Sequence, residues 1–161
     1  MLRSEKGQSL LEMIVVVAVG TIIVGALTFA TIASLRNAQY AKSQSQATKL
    51  GQEGMEKVRS IRDRDTVVRY AKAPGSFTDK FSDLWSINFS CPGNCYFTLA
   101  GSTLVGGAAT SYEEVDKDFK RQVQVEDGSN FAQEKKVTVI VVWNDFSGSH
   151  ESRITTLLRK P

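Results

Sequence analysis

The sequence is poor in the side chains on which most enzymes and metal sites depend. Among 161 residues there is one histidine, His150, and there are two cysteines, Cys91 and Cys95. A zinc site on the cysteines would need two more ligands, and the histidine lies far away in sequence. Ser149, His150 and Asp145 are the residue types of a hydrolase triad, but no Gly-x-Ser-x-Gly nucleophile elbow accompanies them. A glycine-rich phosphate loop is also lacking. The sequence therefore predicts no enzyme, no metal site and no cofactor.

Two further binding interpretations have little support. Asp63, Asp65 and Asp79 suggest calcium by residue type, but their spacing is not that of an EF-hand loop. The net charge is +3, with mixed signs and no basic block, so it gives no argument for nucleic acid. A group of aromatic residues would suit a DNA-stacking surface, although we prefer to assign it to a core. Its members are Phe77, Phe81, Trp85, Phe89, Tyr96 and Phe97.

Charge and proline are both absent from a long apolar run, Met13–Leu35. As a helix, its residues would reach about 34 Å, enough to cross the ~30 Å hydrocarbon layer of a bilayer. Such a helix is apolar on every side and has no soluble face. The run is therefore predicted to lie in a membrane.

A short polar motif, Gly7-Gln8-Ser9-Leu10-Leu11-Glu12, leads into this run. A carboxylate at the mouth of a membrane segment is costly unless it stays among the headgroups or meets a positive partner. A cut after Gly7 would create an α-amine on Gln8, four residues before Glu12. The amine and the carboxylate could then pair within one chain or between neighbouring chains.

This motif, followed by a long apolar helix, resembles the class III signal of type IV pilins and pseudopilins. The resemblance implies that a prepilin peptidase cuts between Gly7 and Gln8 and that Gln8 is N-methylated. It also implies that Glu12 guides assembly into a filament. The chain departs from the usual pattern because Gln8 replaces phenylalanine after the cut and the helix lacks proline.

Two simpler interpretations of the N-terminus remain. A plain single-pass anchor explains the apolar run but not the arrangement of Gly7 and Glu12. A cleaved signal peptide would use Thr31 and Ala33 before Ser34, but the run is too long for one. We rank the pilin interpretation first, the anchor second and the signal peptide third.

The helix is predicted to continue beyond the membrane, from Ser9 to Arg62, over about 80 Å. Its second half carries one apolar stripe, in which Gly54 and the neighbouring Gly51 would let a sheet pack closely. The stripe consists of Ala47, Leu50, Gly54, Val58 and Ile61. The predicted domains are a leader (1–7), an assembly helix (8–35), an amphipathic continuation (36–62) and a β-rich head (63–161).

The strongest strand patterns come at the end of the chain, at 119–126, 136–143 and 153–158. Joined by short turns, they predict an antiparallel meander. Shorter strands are expected at 85–89 and 96–99, irregular chain at 63–83, and a loop at 101–110. The predicted fold is α+β, a long helix on an antiparallel sheet of about four strands. The C-terminal pattern resembles minor pilins of the PilV type and secretion pseudopilins.

The two cysteines stand in Cys-Pro-Gly-Asn-Cys, where proline and glycine favour a turn that brings the thiols together. We predict a disulfide between Cys91 and Cys95 outside the cytoplasm. Unpaired thiols are the simpler alternative, and a zinc site is a third.

The predicted function is structural, that of a minor pilin or pseudopilin assembled through its N-terminal helix. The predicted partners are the membrane, crossed once with the C-terminus outside, prepilin peptidase and other pilin subunits. Basic residues on both sides of the run leave the orientation to the resemblance and the cysteines. The alternative is a membrane-anchored extracytoplasmic binding module that does not polymerise. An anchored hydrolase is a weaker third possibility.

Overall fold

A computed structural model describes residues 6–73, 76–78, 80–130 and 132–160. Within these ranges, side chains are described from Leu10 onward, except those of residues 71–79. The chain divides into two compact units, residues 1–42 and residues 43–161, called here the N-terminal unit and the head unit. The predicted α+β class is confirmed. The elements are helix α1 (Lys6–Asp63), β1 (Val68–Ala73), β2 (Ser76–Thr78), a 3-10 helix (Phe81–Ser86), β3 (Tyr96–Ala100), β4 (Thr103–Gly106), β5 (Glu113–Asp116), β6 (Phe119–Asp127), β7 (Glu134–Asp145) and β8 (Gly148–Arg159).

The predicted long helix is confirmed, and α1 extends from Lys6 to Asp63 without interruption. Because this range lacks proline, every backbone N–H remains available for the helical ladder. Two residues after the end of the helix, Asp65 adopts a φ of 46°, a conformation that aspartate tolerates better than most residues. The Asp65 carboxylate accepts hydrogen bonds from the backbone N–H of Ser82 at 2.7 Å and from its hydroxyl at 3.1 Å. These bonds hold the chain as it leaves the helix.

The head unit contains one sheet of eight strands, twice the number predicted. The strand order is β2-β1-β4-β3-β6-β7-β8, and β5 pairs with the first part of β6. All of these pairs are antiparallel except β1 with β4, which is parallel. The sheet is therefore mostly antiparallel, with its longest strands last in the chain.

The predicted C-terminal meander is confirmed. Strands β6 and β7 pair from Phe119 opposite Trp143 to Asp127 opposite Lys135. Strand β8 then pairs with β7 along twelve residues and is much longer than the predicted 153–158. Strand β7 lies between two neighbours and buries side chains on both faces, which explains its run of β-branched residues.

Three local predictions were wrong. The segment predicted as a strand at 85–89 begins inside the 3-10 helix, because Phe81, Leu84 and Trp85 have helical spacing and are all buried. The predicted loop at 101–110 contains β4, which forms a hairpin with β3 around Gly101, at a φ of 65°. The predicted irregular segment 63–83 contains β1 and β2. The predicted turn at Ala73-Pro74-Gly75-Ser76 lies partly outside the described residues.

The second half of α1 packs on the sheet through the predicted stripe, which is buried except for the half-buried Leu50. A Cβ atom added to Gly51 would lie 2.9 Å from Cδ1 of Ile154. One added to Gly54 would lie 2.9 Å from Cδ of Arg121 and 3.0 Å from Cγ1 of Val139. The predicted close approach of helix and sheet at these glycines is confirmed.

Candidate assembly site on the N-terminal helix

The residues of the N-terminal motif lie on the first turns of α1. Gly7 and Gln8 have helical backbone, and most of the predicted leader, residues 1–5, lies outside the described residues. Glu12 is exposed and follows Gln8 by four residues, which is a little more than one turn of helix. The predicted cleavage position and the predicted assembly carboxylate therefore lie on neighbouring turns of one helix.

Beyond Glu12 the helix presents an uncovered apolar surface. Each large apolar side chain from Leu10 to Leu35 is between 45% and 77% exposed, and none of the most apolar stretch is buried within the chain. By length and composition the helix can cross a membrane. A contiguous exposed apolar surface of this size indicates a membrane or other chains as its surroundings.

The three threonine hydroxyls in this stretch are satisfied within the helix. The hydroxyls of Thr21, Thr28 and Thr31 each donate a hydrogen bond to a backbone carbonyl three or four residues earlier, at 2.8–2.9 Å. In lipid, an unsatisfied hydroxyl would cost free energy that these bonds remove. The threonines therefore do not oppose membrane insertion.

The helix surface around Gly20 and Gly25 is open. A Cβ atom added to either glycine would have no neighbouring atom within 4 Å.

The predicted disulfide between Cys91 and Cys95 is present, with the two Cα atoms 5.5 Å apart. Asn94 folds back across the loop, because its amide donates to the carbonyl of Asn88 at 2.8 Å and its side-chain oxygen accepts from the N–H of Ser90 at 3.1 Å. Cys95 is fully buried. Since the sulfurs are joined to each other, neither can serve as a zinc ligand.

The histidine cluster does not have the geometry of a hydrolase triad. Nε2 of His150 lies 3.0 Å from Oγ of Ser147 and 3.0 Å from Oδ1 of Asp145. A triad places the nucleophile and the carboxylate on opposite ring nitrogens, whereas here one nitrogen contacts both. Ser149, the predicted triad member, pairs with Asn144 in the β7–β8 ladder. The cluster is best explained as the support of a tight hairpin turn.

The other candidate binding residues whose side chains are described lie in the core or bind neighbouring groups of the chain. Phe81, Trp85, Phe89 and Phe97 are buried in the core, which confirms the preferred interpretation of the aromatic group. Tyr96 is half-buried, and the side chain of Phe77 lies outside the described residues. Asp63 pairs with Arg62, Asp65 binds Ser82, and Asp79 lies outside the described part. Within that part, histidine, cysteine and acidic side chains form no group of three or more suited to a metal.

Residues 2–28 match the family model of the prokaryotic N-terminal methylation motif. The match supports a type IV pilin-like protein. It covers Gly7, Gln8 and Glu12, and it includes the apolar run as far as Thr28. Motif and uncovered helix together fit a membrane-anchored prepilin. No curated protein and no solved structure gives a significant match to the chain. The resemblance of the C-terminal strands to minor pilins of the PilV type stays a prediction.

Proposed function

We propose that the chain is a minor pilin or pseudopilin, a structural subunit of a type IV pilus-like filament. Before assembly it would be held in the membrane as a prepilin, with its C-terminus outside. The observation that carries the proposal is the match of residues 2–28 to the methylation motif, at the start of a helix whose apolar surface the chain leaves uncovered. Pilin-type proteins that carry this motif are structural subunits rather than enzymes.

In this proposal residues 1–7 are a leader, residues 8–35 the assembly helix, residues 36–62 its amphipathic continuation and residues 63–161 the head. Prepilin peptidase cuts between Gly7 and Gln8, and the new amine of Gln8 is methylated. The helix of one mature chain then packs against those of neighbouring subunits. The exposed apolar side chains from Leu10 to Leu35 supply the contact surface, first to lipid and then to the filament.

In this assembly the carboxylate of Glu12 pairs with a positive group of a neighbouring subunit. A carboxylate enclosed among apolar helices is strongly unfavourable unless a positive group compensates it. Cleavage creates such a group at Gln8, on the turn before Glu12. A neighbouring subunit in the filament presents the same amine. Pairing of Glu12 with that amine would favour the correct stagger of two helices over other packings.

The test is the mass of the N-terminal peptide of the membrane-extracted protein. We expect the mature chain to begin at Gln8, and we expect Gly7→Leu to abolish this cut. Gly25→Leu is the matched control, because it makes the same substitution in the same helix at an open position. A mature chain that keeps residues 1–7, or that begins near Ser34, would contradict the proposal and favour a plain anchor or a signal peptide.

A further inference from the structure

Positive charge lies on α1 directly beyond the apolar run. Arg36 follows Leu35 immediately, and Lys42 follows six residues later, with Tyr40 between them. All three side chains are exposed, Tyr40 by 42%. From residue 13 to residue 52 the sequence contains no aspartate or glutamate. The sequence of this part of the helix therefore contains basic residues but no acidic ones.

The placement of these residues around the helix indicates what surrounds them. At 3.6 residues per turn, Tyr40 lies about 40° around the axis from Arg36, whereas Lys42 lies about 120° away on the other side. Two cations on different faces do not suit a partner that occupies one groove. They suit a layer that encloses the helix on all sides.

The spacing along the axis fits the surface of a membrane. Arg36 and Lys42 are about 9 Å apart along the helix, close to the thickness of one headgroup layer, which is roughly 5–8 Å. Arg36 stands at the boundary that the last apolar residue defines. Tyrosine is a side chain that prefers the headgroup level, since its ring is apolar and its hydroxyl polar.

We propose that Arg36, Tyr40 and Lys42 form a cationic collar that binds the phosphates of anionic phospholipids where the apolar run leaves the membrane. The guanidinium and the ammonium donate charge-assisted hydrogen bonds to phosphate oxygens. Each basic residue near an anionic surface strengthens binding about five-fold. The collar sets the depth of the helix and retains the chain in anionic membrane until assembly. It rests on the membrane-spanning part of the proposed function, and it requires neither cleavage nor polymerisation.

The test uses the purified full-length chain in detergent micelles that contain equal amounts of phosphatidylglycerol and phosphatidylcholine with identical acyl chains. Native mass spectrometry counts the lipids that stay bound. The wild type should retain phosphatidylglycerol several-fold over phosphatidylcholine at low salt, and the preference should fall as salt rises. Arg36→Gln with Lys42→Gln should bring the two lipids close to parity. The matched control is Lys80→Gln with Lys117→Gln, which removes the same charge from exposed lysines of the head unit and should keep the preference.

Three results would overturn the collar. The wild type could show no preference for the anionic lipid, the collar variant could keep its preference, or the control variant could lose it equally. None of these results bears on the cut after Gly7 or on filament assembly, which the N-terminal mass tests separately.

Discussion

At the scale of single residues, the head unit depends on a buried ion pair between neighbouring strands. The side chain of Lys135 is fully buried, and its Nζ donates to the carboxylate of Asp127 and, at 2.6 Å, to the carbonyl of Ile87. The same ammonium lies 5.1 Å from the centroid of the Phe89 ring. Asp127 also accepts a hydrogen bond from the N–H of Phe89 at 3.0 Å. The pair therefore fixes the segment before the disulfide loop to the end of the β6–β7 hairpin.

Removing the carboxylate charge should destabilise the protein strongly. Asp127→Asn leaves the Lys135 ammonium buried without its anion, and breaking such a pair typically costs about 3–5 kcal/mol. We expect the free energy of unfolding to fall by about 3 kcal/mol, measured by urea denaturation of the head with near-UV circular dichroism.

The control is the adjacent pair on the same strands. Lys136 and Glu126 form an ion pair of 2.9 Å, but their side chains are 47% and 29% exposed. Because exposed pairs contribute about 0–1 kcal/mol, Glu126→Gln should have little effect. Equal losses for Asp127→Asn and Glu126→Gln would show that burial of the first pair does not matter.

The hairpin turn between β7 and β8 should stabilise the protein in a pH-dependent way through Asp145. Hydrogen bonds from the Ser147 hydroxyl and backbone N–H, with a smaller contribution from His150, lower the pKa of Asp145 to about 2. In the unfolded chain its pKa would be about 3.9, so its stabilising effect is complete above that pH and is lost as the pH falls through about 2. Carboxyl carbon chemical shifts should titrate Asp145 with a midpoint near that low value, and Ser147→Ala should raise the midpoint. A wild-type midpoint near 4 would disprove the role of the turn.

At the scale of elements, one buried arginine adds hydrogen bonds to the apolar contact between α1 and the sheet. The side chain of Arg121 is fully buried, and it donates to Glu113 from Nε at 3.0 Å and from Nη2 at 2.8 Å. Its Nη1 donates to the helix carbonyl of Leu50 at 3.0 Å. The arginine thus connects β5, β6 and the helix, and its aliphatic part packs over Gly54. These bonds leave it little freedom to move.

This arrangement predicts different costs at the two helix glycines. A Cβ at Gly54 would press on the fixed Arg121 and on Val139, so Gly54→Ala should destabilise the head by about 1–3 kcal/mol despite its better helix propensity. A Cβ at Gly51 meets the end of the flexible Ile154 side chain, so Gly51→Ala should cost less. Thermal unfolding of both variants tests this order. A larger loss of stability for Gly51→Ala than for Gly54→Ala would show that Arg121 moves away from an added Cβ more easily than Ile154 does.

The elements that the sequence predicts well are those whose pattern is long. Fifty-eight residues without proline define α1, and the alternation in β6 and the β-branched run in β7 define the meander. Strands β1, β2 and β4 have only three to six residues. The pairing of β1 with β4 is parallel and joins Val68 to Leu104, so no local pattern indicates it.

The candidate site and the buried charges differ in the same way, because the first depends on local spacing and the second on contacts between distant residues. Gly7, Gln8 and Glu12 can be proposed as site residues from sequence alone, because their spacing is local and a long apolar helix follows. The burial of Lys135 is invisible in sequence, because it depends on Ile87 and Phe89, which are distant in the chain. Alternation along β6 places Arg121 on the apolar face, but the carbonyl of Leu50 as its acceptor could not be predicted.

At the scale of the whole molecule, the chain joins two parts with different requirements. The head unit buries its own core. The N-terminal unit leaves its apolar side chains exposed, and a surface of that kind is covered by lipid or by other chains rather than by water. In the proposed function, lipid covers this surface first and the helices of other subunits cover it after assembly. We therefore expect one substitution at Glu12 to leave the chain in the membrane and to keep it out of filaments.

The most direct measurement compares wild type with Glu12→Leu in the membrane fraction and in the sheared-filament fraction of the same cells. The wild type should occur in both fractions and should begin at Gln8 in the filaments. Glu12→Leu should insert and be cut normally, because it lengthens the apolar run, but it should be nearly absent from filaments. Glu56→Leu, which removes an exposed glutamate of the head unit, is the control and should enter filaments as the wild type does. Equal incorporation of Glu12→Leu and wild type, or absence of the wild type from filaments, would contradict the account.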